Sequence, residues 1–176
     1  AAWAWASREY RKGDLVVDLV APDGSVVSAG IGCHTMAMWM NRNVVMGTHM
    51  GAEGAQWIGM APFTNTNHIF QNMGDGTYAH SGSLAIRYCA STDVNITFKL
   101  LVNSHTSMTG GQAIQGANPV PNMVADLLAN GVKKIIVTTV QKFPFILDEL
   151  GDLSGKNFAL LIDEAHSSQG GKTTAR

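Results

Sequence analysis

Short apolar runs, separated by amphipathic stretches and glycine-rich turns, recur along the chain. Contiguous Val, Ile, Leu and Phe residues are typical of strands that are buried on both faces of a parallel sheet. Such runs predict six strands, at Leu15–Val20, Ser25–Ala29, Ile69–Met73, Val94–Val102, Val132–Thr138 and Phe158–Ile162. The first two are joined by a turn sequence at residues 22–24 (PDG).

Apolar residues spaced three and four positions apart predict the helices between these strands. The helices are Tyr78–Cys89, Pro119–Asn130 with Gly131 as its stop signal, and Phe143–Leu150. The segment Met46–Met60 is rich in glycine and is interpreted as a buried loop or the start of a helix. Because strands and helices alternate, the pattern predicts an α/β fold, with an open, mostly parallel sheet flanked by helices.

Composition narrows the function classes. A chain of 176 residues is about one domain. Its net charge of −1 gives no support for a nucleic-acid or membrane surface, and no apolar run is long enough to cross a membrane. The two cysteines, Cys33 and Cys89, are too few for a disulfide framework. No charged-then-apolar signal segment opens the chain, so we expect a cytoplasmic protein. Residues 1–22 form an N-terminal segment to which no function is assigned.

A carboxylate between two glycines directly follows the strand predicted at Ile69–Met73. The triplet is Gly74, Asp75 and Gly76, and Asn103 ends the next strand, one helix later. Because the carboxyl ends of parallel strands meet at one edge of a sheet, we expect Asp75 and Asn103 to emerge together. Glycine lets backbone N–H groups approach phosphate oxygens, and a carboxylate prefers a hard cation. The pattern therefore favours a divalent metal that bridges a diphosphate, over an ordinary turn followed by a loop.

Residues 23–137 resemble the thiamine diphosphate-binding part of indolepyruvate ferredoxin oxidoreductases of the long fused bacterial type. Several motifs in the family's order carry the resemblance: Ala29–Met40 (AGIGCHTMAMWM), Met50–Thr64 (MGAEGAQWIGMAPFT), Phe70–Arg87 (FQNMGDGTYAHSGSLAIR), Val94–Asn103 (VNITFKLLVN) and Met108–Gln112 (MTGGQ).

The resemblance implies roles for the motif residues. Asp75 and Asn103 would be side-chain ligands of Mg²⁺, and the backbone carbonyl of His105 would be the third protein ligand. Gly74 and Gly76 would receive the diphosphate of thiamine diphosphate. The implied reaction is the oxidative decarboxylation of a 2-oxo acid, such as an indolepyruvate or another aryl pyruvate, with coenzyme A and ferredoxin as partners.

The chain departs from the family at two places. Cys33 resembles a cysteine that ligates a 4Fe–4S cluster, but a cluster needs further thiolates, and Cys89 is interpreted as a small core residue. Cys33 alone therefore cannot hold a cluster. In the metal loop, Ser104 stands where the family usually has Asp, which removes a negative charge near the metal. The side chain of His105 is interpreted as facing solvent.

Such enzymes also need a pyrimidine-binding domain or subunit, whose glutamate activates the cofactor. Glu53 is interpreted as a local hydrogen-bonding residue and not as a substitute for that glutamate. His80, one helical turn after Asp75, could face the substrate, or it could lie on the helix surface or in the core.

From about residue 133 onward the chain resembles instead the motor subunit of type I restriction enzymes. After an apolar strand it carries the Walker-B box of superfamily 2 helicases, formed by Asp163, Glu164, Ala165 and His166. ATP hydrolysis also needs a Gly-x-x-x-x-Gly-Lys-Ser/Thr loop, and none precedes the box. Residues 138–176 are interpreted as a chimeric, helicase-like tail, joined to the first part near residues 133–139.

The sequence thus favours a fragment of a thiamine diphosphate-dependent 2-oxo acid ferredoxin oxidoreductase that is incomplete alone. One alternative is a fragment of an ATP-dependent DNA-translocating motor, which would bind nucleic acid. The other is a chimeric domain that binds none of these ligands.

Overall fold

The computed structural model describes residues 26–40, 44–139 and 158–163. The strand predicted at Leu15–Val20, the turn that follows it and the helix predicted at Phe143–Leu150 lie outside the described residues.

Within the described ranges, six parallel strands form the main sheet. They are β1 (Val26–Ala29), β2 (Val44–Gly47), β3 (Ile69–Gly74), β4 (Ile96–Leu101), β7 (Lys134–Thr139) and β8 (Phe158–Asp163). Their order in the sheet is β2-β1-β3-β4-β8-β7, and every neighbouring pair is parallel. A small antiparallel hairpin follows β4, with strands β5 (His105–Thr106) and β6 (Gln112–Ala113). The predicted α/β fold, an open parallel sheet flanked by helices, is confirmed.

Helices connect the strands. They are α1 (Ala55–Met60), α2 (Ser83–Ala90) and α3 (Val120–Ala129), and a 3₁₀ helix spans Cys33–Met40. Two helical turns lead from β3 into α2: an α turn at Asp75–Thr77 and a π turn at Tyr78–Gly82. Among the described residues, no helix is long and apolar enough to cross a membrane.

Two local features differ from the sequence-based expectation. The pattern does not predict β2, because only Val44 and Val45 are β-branched and glycines follow closely. The helix predicted at Tyr78–Cys89 begins three residues earlier, at Asp75, and widens into a π turn before α2. Hydrophobic periodicity does not reveal such a turn, because a single π turn is too short to set a recognisable period of its own.

The core lies on both faces of the sheet. One face packs against α1, α2 and α3 through a cluster that includes Ile69, Met73, Leu100, Ile86 and Leu127, each at most 1% exposed. The other face carries a smaller cluster of Val27, Ala29, Ala37 and Val44. Burial on both faces explains why the strands are continuous apolar runs.

β8 pairs with β4 on one side and with β7 on the other. An apolar strand that belongs to a foreign tail is expected to add at an edge of the sheet or to promote aggregation. The backbone register instead places it inside the sheet. That residues 138–176 are a separate, chimeric segment stays a prediction.

Candidate functional site

The strand order reverses between β1 and β3. β2 lies on one side of β1, whereas β3 and β4 follow on the other side. In open α/β sheets, ligands bind outside the carboxyl ends of the strands at such a reversal. A cleft of about 270 Å³ lies at the carboxyl end of β3, and it is lined by Ile31, Met50, Gly74, Asp75, Gly76, Thr77, His80, His105, Thr106, Ile114 and Gln115.

Asp75 lies at the carboxyl end of β3 and is only 4% exposed. Its Oδ2 accepts hydrogen bonds from the backbone N–H groups of Asn103 (2.9 Å) and Ser104 (2.6 Å). Its Oδ1 accepts a hydrogen bond from the N–H of Gly76 (3.0 Å). Burial raises the pKa of Asp75 above its usual value, and the backbone N–H groups act in the opposite direction. The carboxylate therefore ties the ends of β3 and β4 together.

Asn103 holds the loop that follows β4. Its Oδ1 accepts the N–H of His105 at 2.9 Å, and its Nδ2 donates to Ser107 Oγ at 2.9 Å. A carboxylate has about four acceptor positions, of which the N–H groups occupy three on Asp75. Asp75 thus keeps about one acceptor position, and its carboxylate binds the backbone of Asn103, whose side chain supplies an amide oxygen to the same loop. Oxygen donors of this kind suit Mg²⁺, so the residues present fit the metal that the sequence predicts.

The two glycines of the motif leave space in the cleft. A Cβ placed on Gly74 would meet no atom within 4 Å. A Cβ placed on Gly76 would lie 3.6 Å from the side chains of Ile114 and Thr106, which is ordinary contact. Gly74 has a φ of −80°, which any residue adopts, so its missing side chain provides room and not conformational freedom. The backbone at Gly74 is therefore open to a ligand.

Ser104 and His105 lie at the mouth of the cleft. Ser104 has a φ of +60°, which is uncommon for a residue with a side chain, and its N–H points to Asp75 as a result. His105 is exposed, and its Nδ1 lies 2.8 Å from the backbone oxygen of Asn103. Its side chain also lines the cleft, so it faces both solvent and the site.

The cysteines and the helicase-like box lie elsewhere. Cys33 is half-buried at the start of the 3₁₀ helix, and burial raises the pKa of its thiol. Cys89 belongs to the core, where burial raises its pKa to about 12. Within the described ranges, no three His, Cys, Asp or Glu side chains form a group that could hold a metal. Asp163 ends β8, and the other three residues of the box lie outside the described residues.

Sequence reasoning missed much of the apolar lining of the cleft. Ile31 follows β1 within a Gly-x-Gly turn, which was a usable signal. Ile114 and Gln115 reach the cleft because the hairpin β5–β6 folds back over Gly76, and no local pattern indicates that contact.

The comparisons with known proteins agree with this architecture. The family model described as thiamine pyrophosphate enzyme, C-terminal TPP binding domain, matches residues 30–151, which is more than half of the chain. No curated protein matches. The fold is similar to the structure of 2-oxoglutarate:ferredoxin oxidoreductase from Magnetococcus marinus with 2-oxoglutarate, coenzyme A and succinyl-CoA bound. That similarity has a TM-score of 0.66 at 18% identity, and it covers 85% of this chain but only 59% of the Magnetococcus chain. The chain therefore belongs to the thiamine pyrophosphate enzyme family, through its C-terminal TPP-binding domain.

Proposed function

We propose that this domain binds thiamine diphosphate through Mg²⁺ and is the cofactor-binding part of a 2-oxo acid:ferredoxin oxidoreductase. The position of Asp75 carries the proposal. Its buried carboxylate lies at the strand-order reversal, within a cleft, and contacts the backbone at the end of β4. The family match over residues 30–151 and the fold similarity to a 2-oxoglutarate:ferredoxin oxidoreductase support the same assignment.

In this proposal, oxygens of Asp75 and Asn103 and the backbone carbonyl of His105 hold the metal. The backbone of Gly74 and Gly76 approaches the diphosphate. No Lys or Arg lines the cleft among the described residues, so the negative charge of a diphosphate needs the metal as its counter-charge.

Thiamine diphosphate, when bound, supplies the carbon nucleophile that adds to a 2-oxo acid and accepts the electron pair left by loss of CO₂. The protein orients this group and limits its exposure to water. Ile31, Met50 and Ile114 provide the apolar part of the wall, and the hairpin β5–β6 covers Gly76.

The finer assignment follows the motifs quoted above. We propose an aryl pyruvate, such as indolepyruvate, as the substrate, and coenzyme A and ferredoxin as partners in the cytoplasm. The Magnetococcus structure, which contains a 2-oxo acid and coenzyme A, supports this class of reaction. A separate pyrimidine-binding domain or subunit, and cysteines beyond Cys33 for any cluster, complete the proposed enzyme.

Calorimetric titration of the full chain with thiamine diphosphate tests the proposal. We expect saturable binding of one cofactor per chain in the presence of Mg²⁺. Chelation of the metal should abolish binding, and thiamine without its diphosphate should not bind. Absence of binding, or equal binding with and without Mg²⁺, would contradict the proposed site.

A further inference from the structure

We propose that His80, backed by the buried carboxylate of Glu53, binds the carboxylate group of the 2-oxo acid substrate, an inference that rests on the proposed function. The substrate is an anion, so its recognition calls for a positive group in the cleft that is separate from the metal.

His80 is placed to meet a ligand. It lines the same cleft as Asp75 and stands on the π turn Tyr78–Gly82. Its Nδ1 lies 2.5 Å from Ser81 Oγ, which fixes one side of the ring. Nε2 makes no hydrogen bond to a described residue and is available to a ligand. Wide π turns occur frequently at functional sites, because they redirect a side chain without ending the helix.

The charges in the cleft single out the same residue. Among the described residues that line it, His80 and His105 are the side chains able to carry a positive charge. The ring of His105 lies beside the proposed metal, because its Nδ1 is bonded to the backbone oxygen of Asn103. His80 is bonded instead to Ser81, so it is the histidine whose partner is not a proposed metal ligand.

Glu53 is a buried carboxyl group in the loop that contacts the turn of His80. It is fully buried, and its Oε2 accepts the N–H of Gly51 at 2.7 Å, which agrees with its interpretation as a local hydrogen-bonding residue. Its Oε1 has no hydrogen-bond partner among the described residues. Burial raises the pKa of Glu53, and hydrogen bonds from backbone N–H groups, including that of Gly51, act in the opposite direction.

The loop that carries Glu53 packs directly on the turn that carries His80. Gly51 has a φ of +90°, and a Cβ there would lie only 2.2 Å from Ser81 Oγ. On its other side, Glu53 lies against Gly30, where a Cβ would come within 2.7 Å of Oε1. Glu53 thus contacts the end of β1 at Gly30 and binds Gly51, the residue that packs against the π turn. In this arrangement Glu53 is a positioning residue, and His80 is the residue that touches the substrate.

The test compares two ligands of the chain loaded with thiamine diphosphate and Mg²⁺. Phenylpyruvate carries the carboxylate, whereas phenylacetone has a methyl group in its place. We expect His80→Gln to bind phenylpyruvate about tenfold more weakly or worse, because a charge-assisted hydrogen bond is lost. Glu53→Gln keeps an acceptor for Gly51 and should weaken phenylpyruvate binding less. Phenylacetone binding and thiamine diphosphate binding should stay unchanged in both variants, and the exposed His49, which does not line the cleft, provides the control His49→Gln.

A measurement on the unsubstituted chain tests the inference even if a variant does not fold. The ring resonances of His80 should move when phenylpyruvate is added and should not move with phenylacetone. The inference is overturned if the loaded chain binds thiamine diphosphate but not phenylpyruvate, if His80→Gln leaves phenylpyruvate affinity unchanged, or if the resonances do not move. Failure to bind thiamine diphosphate at all would instead contradict the proposed function.

Discussion

Asp75 has two roles, and two different measurements detect their loss. It accepts three backbone N–H groups, and in the proposed site it also holds the metal. We expect Asp75→Ala to abolish Mg²⁺-dependent thiamine diphosphate binding. The same change should lower the free energy of unfolding by about 1–3 kcal/mol, because buried N–H groups lose their acceptor. Asn103→Ala should weaken binding less, since water can replace a neutral ligand. Calorimetry and urea unfolding measure the two effects.

The matched control for Asp75 is Asp93→Ala. Asp93 is exposed and precedes β4, at the opposite end of the sheet. It should leave both cofactor affinity and stability unchanged. Equal cofactor affinity of Asp75→Ala and the unsubstituted chain would contradict the proposal that Asp75 holds the metal.

The burial of His34 predicts that the folded state loses stability in mild acid. It is 4% exposed, its Nε2 has no partner among the described residues, and burial lowers its pKa from 6.5 to about 4. The unfolded chain therefore takes up a proton below about pH 6.5, whereas the folded chain does so only near pH 4. The contribution of neutral His34 to stability is complete above pH 6.5 and decreases as the pH falls to 4, by about 3 kcal/mol.

The comparison with His34→Asn isolates this effect. Asp75 and Glu53 have raised pKa values, so their protonation stabilises the folded state as the pH falls, which is opposite to the effect of His34. Urea unfolding of both proteins at pH 7 and pH 4.5 should show the stability gap between them narrowing by about 2–3 kcal/mol. A gap that stays constant between the two pH values would show that His34 is not protonated on unfolding.

Site residues were predictable only where they lie near a strand end. Asp75 and Asn103 follow apolar runs, so parallel pairing alone brings them together. Glu53 was recognised as a hydrogen-bonding residue, but its burial behind the cleft depends on glycines at 30 and 51 that accept close contacts. Such contacts join distant segments, and no local pattern records them.

At the scale of elements, the long apolar strands and α3 were predicted within two residues, whereas β2 and the π turn were not. Four residues with only two β-branched side chains are too short a signal for β2. The sequence also did not predict the position of β8. Its apolar residues suit the middle of any parallel sheet, so they do not identify the strands beside it.

Because β8 pairs on both edges, the structure changes the result expected when the end of the chain is deleted. From the sequence alone, deletion of residues 141–176 should leave cofactor binding intact and improve solubility. In the structure, the same deletion removes the strand that joins β4 to β7. We now expect the truncated chain to lose cooperative thermal melting and to aggregate, because unpaired strand edges recruit other chains.

The control for the truncation is a chain that ends after residue 163, which keeps β8. It should melt cooperatively and bind thiamine diphosphate like the full chain. If the chain ending at residue 140 melts and binds equally well, β8 is dispensable, and residues 138–176 behave as the separate tail that the sequence predicts.

At the scale of the whole molecule, we expect the isolated chain to have no 2-oxo acid:ferredoxin oxidoreductase activity. The described residues provide the cleft proposed for the cofactor but no group of cysteines for a cluster. The chain also spans only 59% of the Magnetococcus chain that it resembles. Phenylpyruvate-dependent reduction of a dye acceptor by the pure chain, supplied with cofactor, Mg²⁺ and coenzyme A, would contradict this. Addition of a pyrimidine-binding partner provides the positive control.

The strand order also has a consequence for the growing polypeptide. Lys134–Thr139 is synthesised before Phe158–Asp163, yet among the described strands it pairs with that later strand alone. Ribosomes add about 5–20 residues per second, so β7 emerges without a partner for seconds. Over that interval β1, β3 and β4 can already assemble, while the apolar strand β7 stays exposed near the ribosomal exit tunnel. A trigger-type chaperone that binds such exposed strands should therefore raise the soluble yield of this domain. The gain should be larger than for a domain whose strands pair in the order of synthesis.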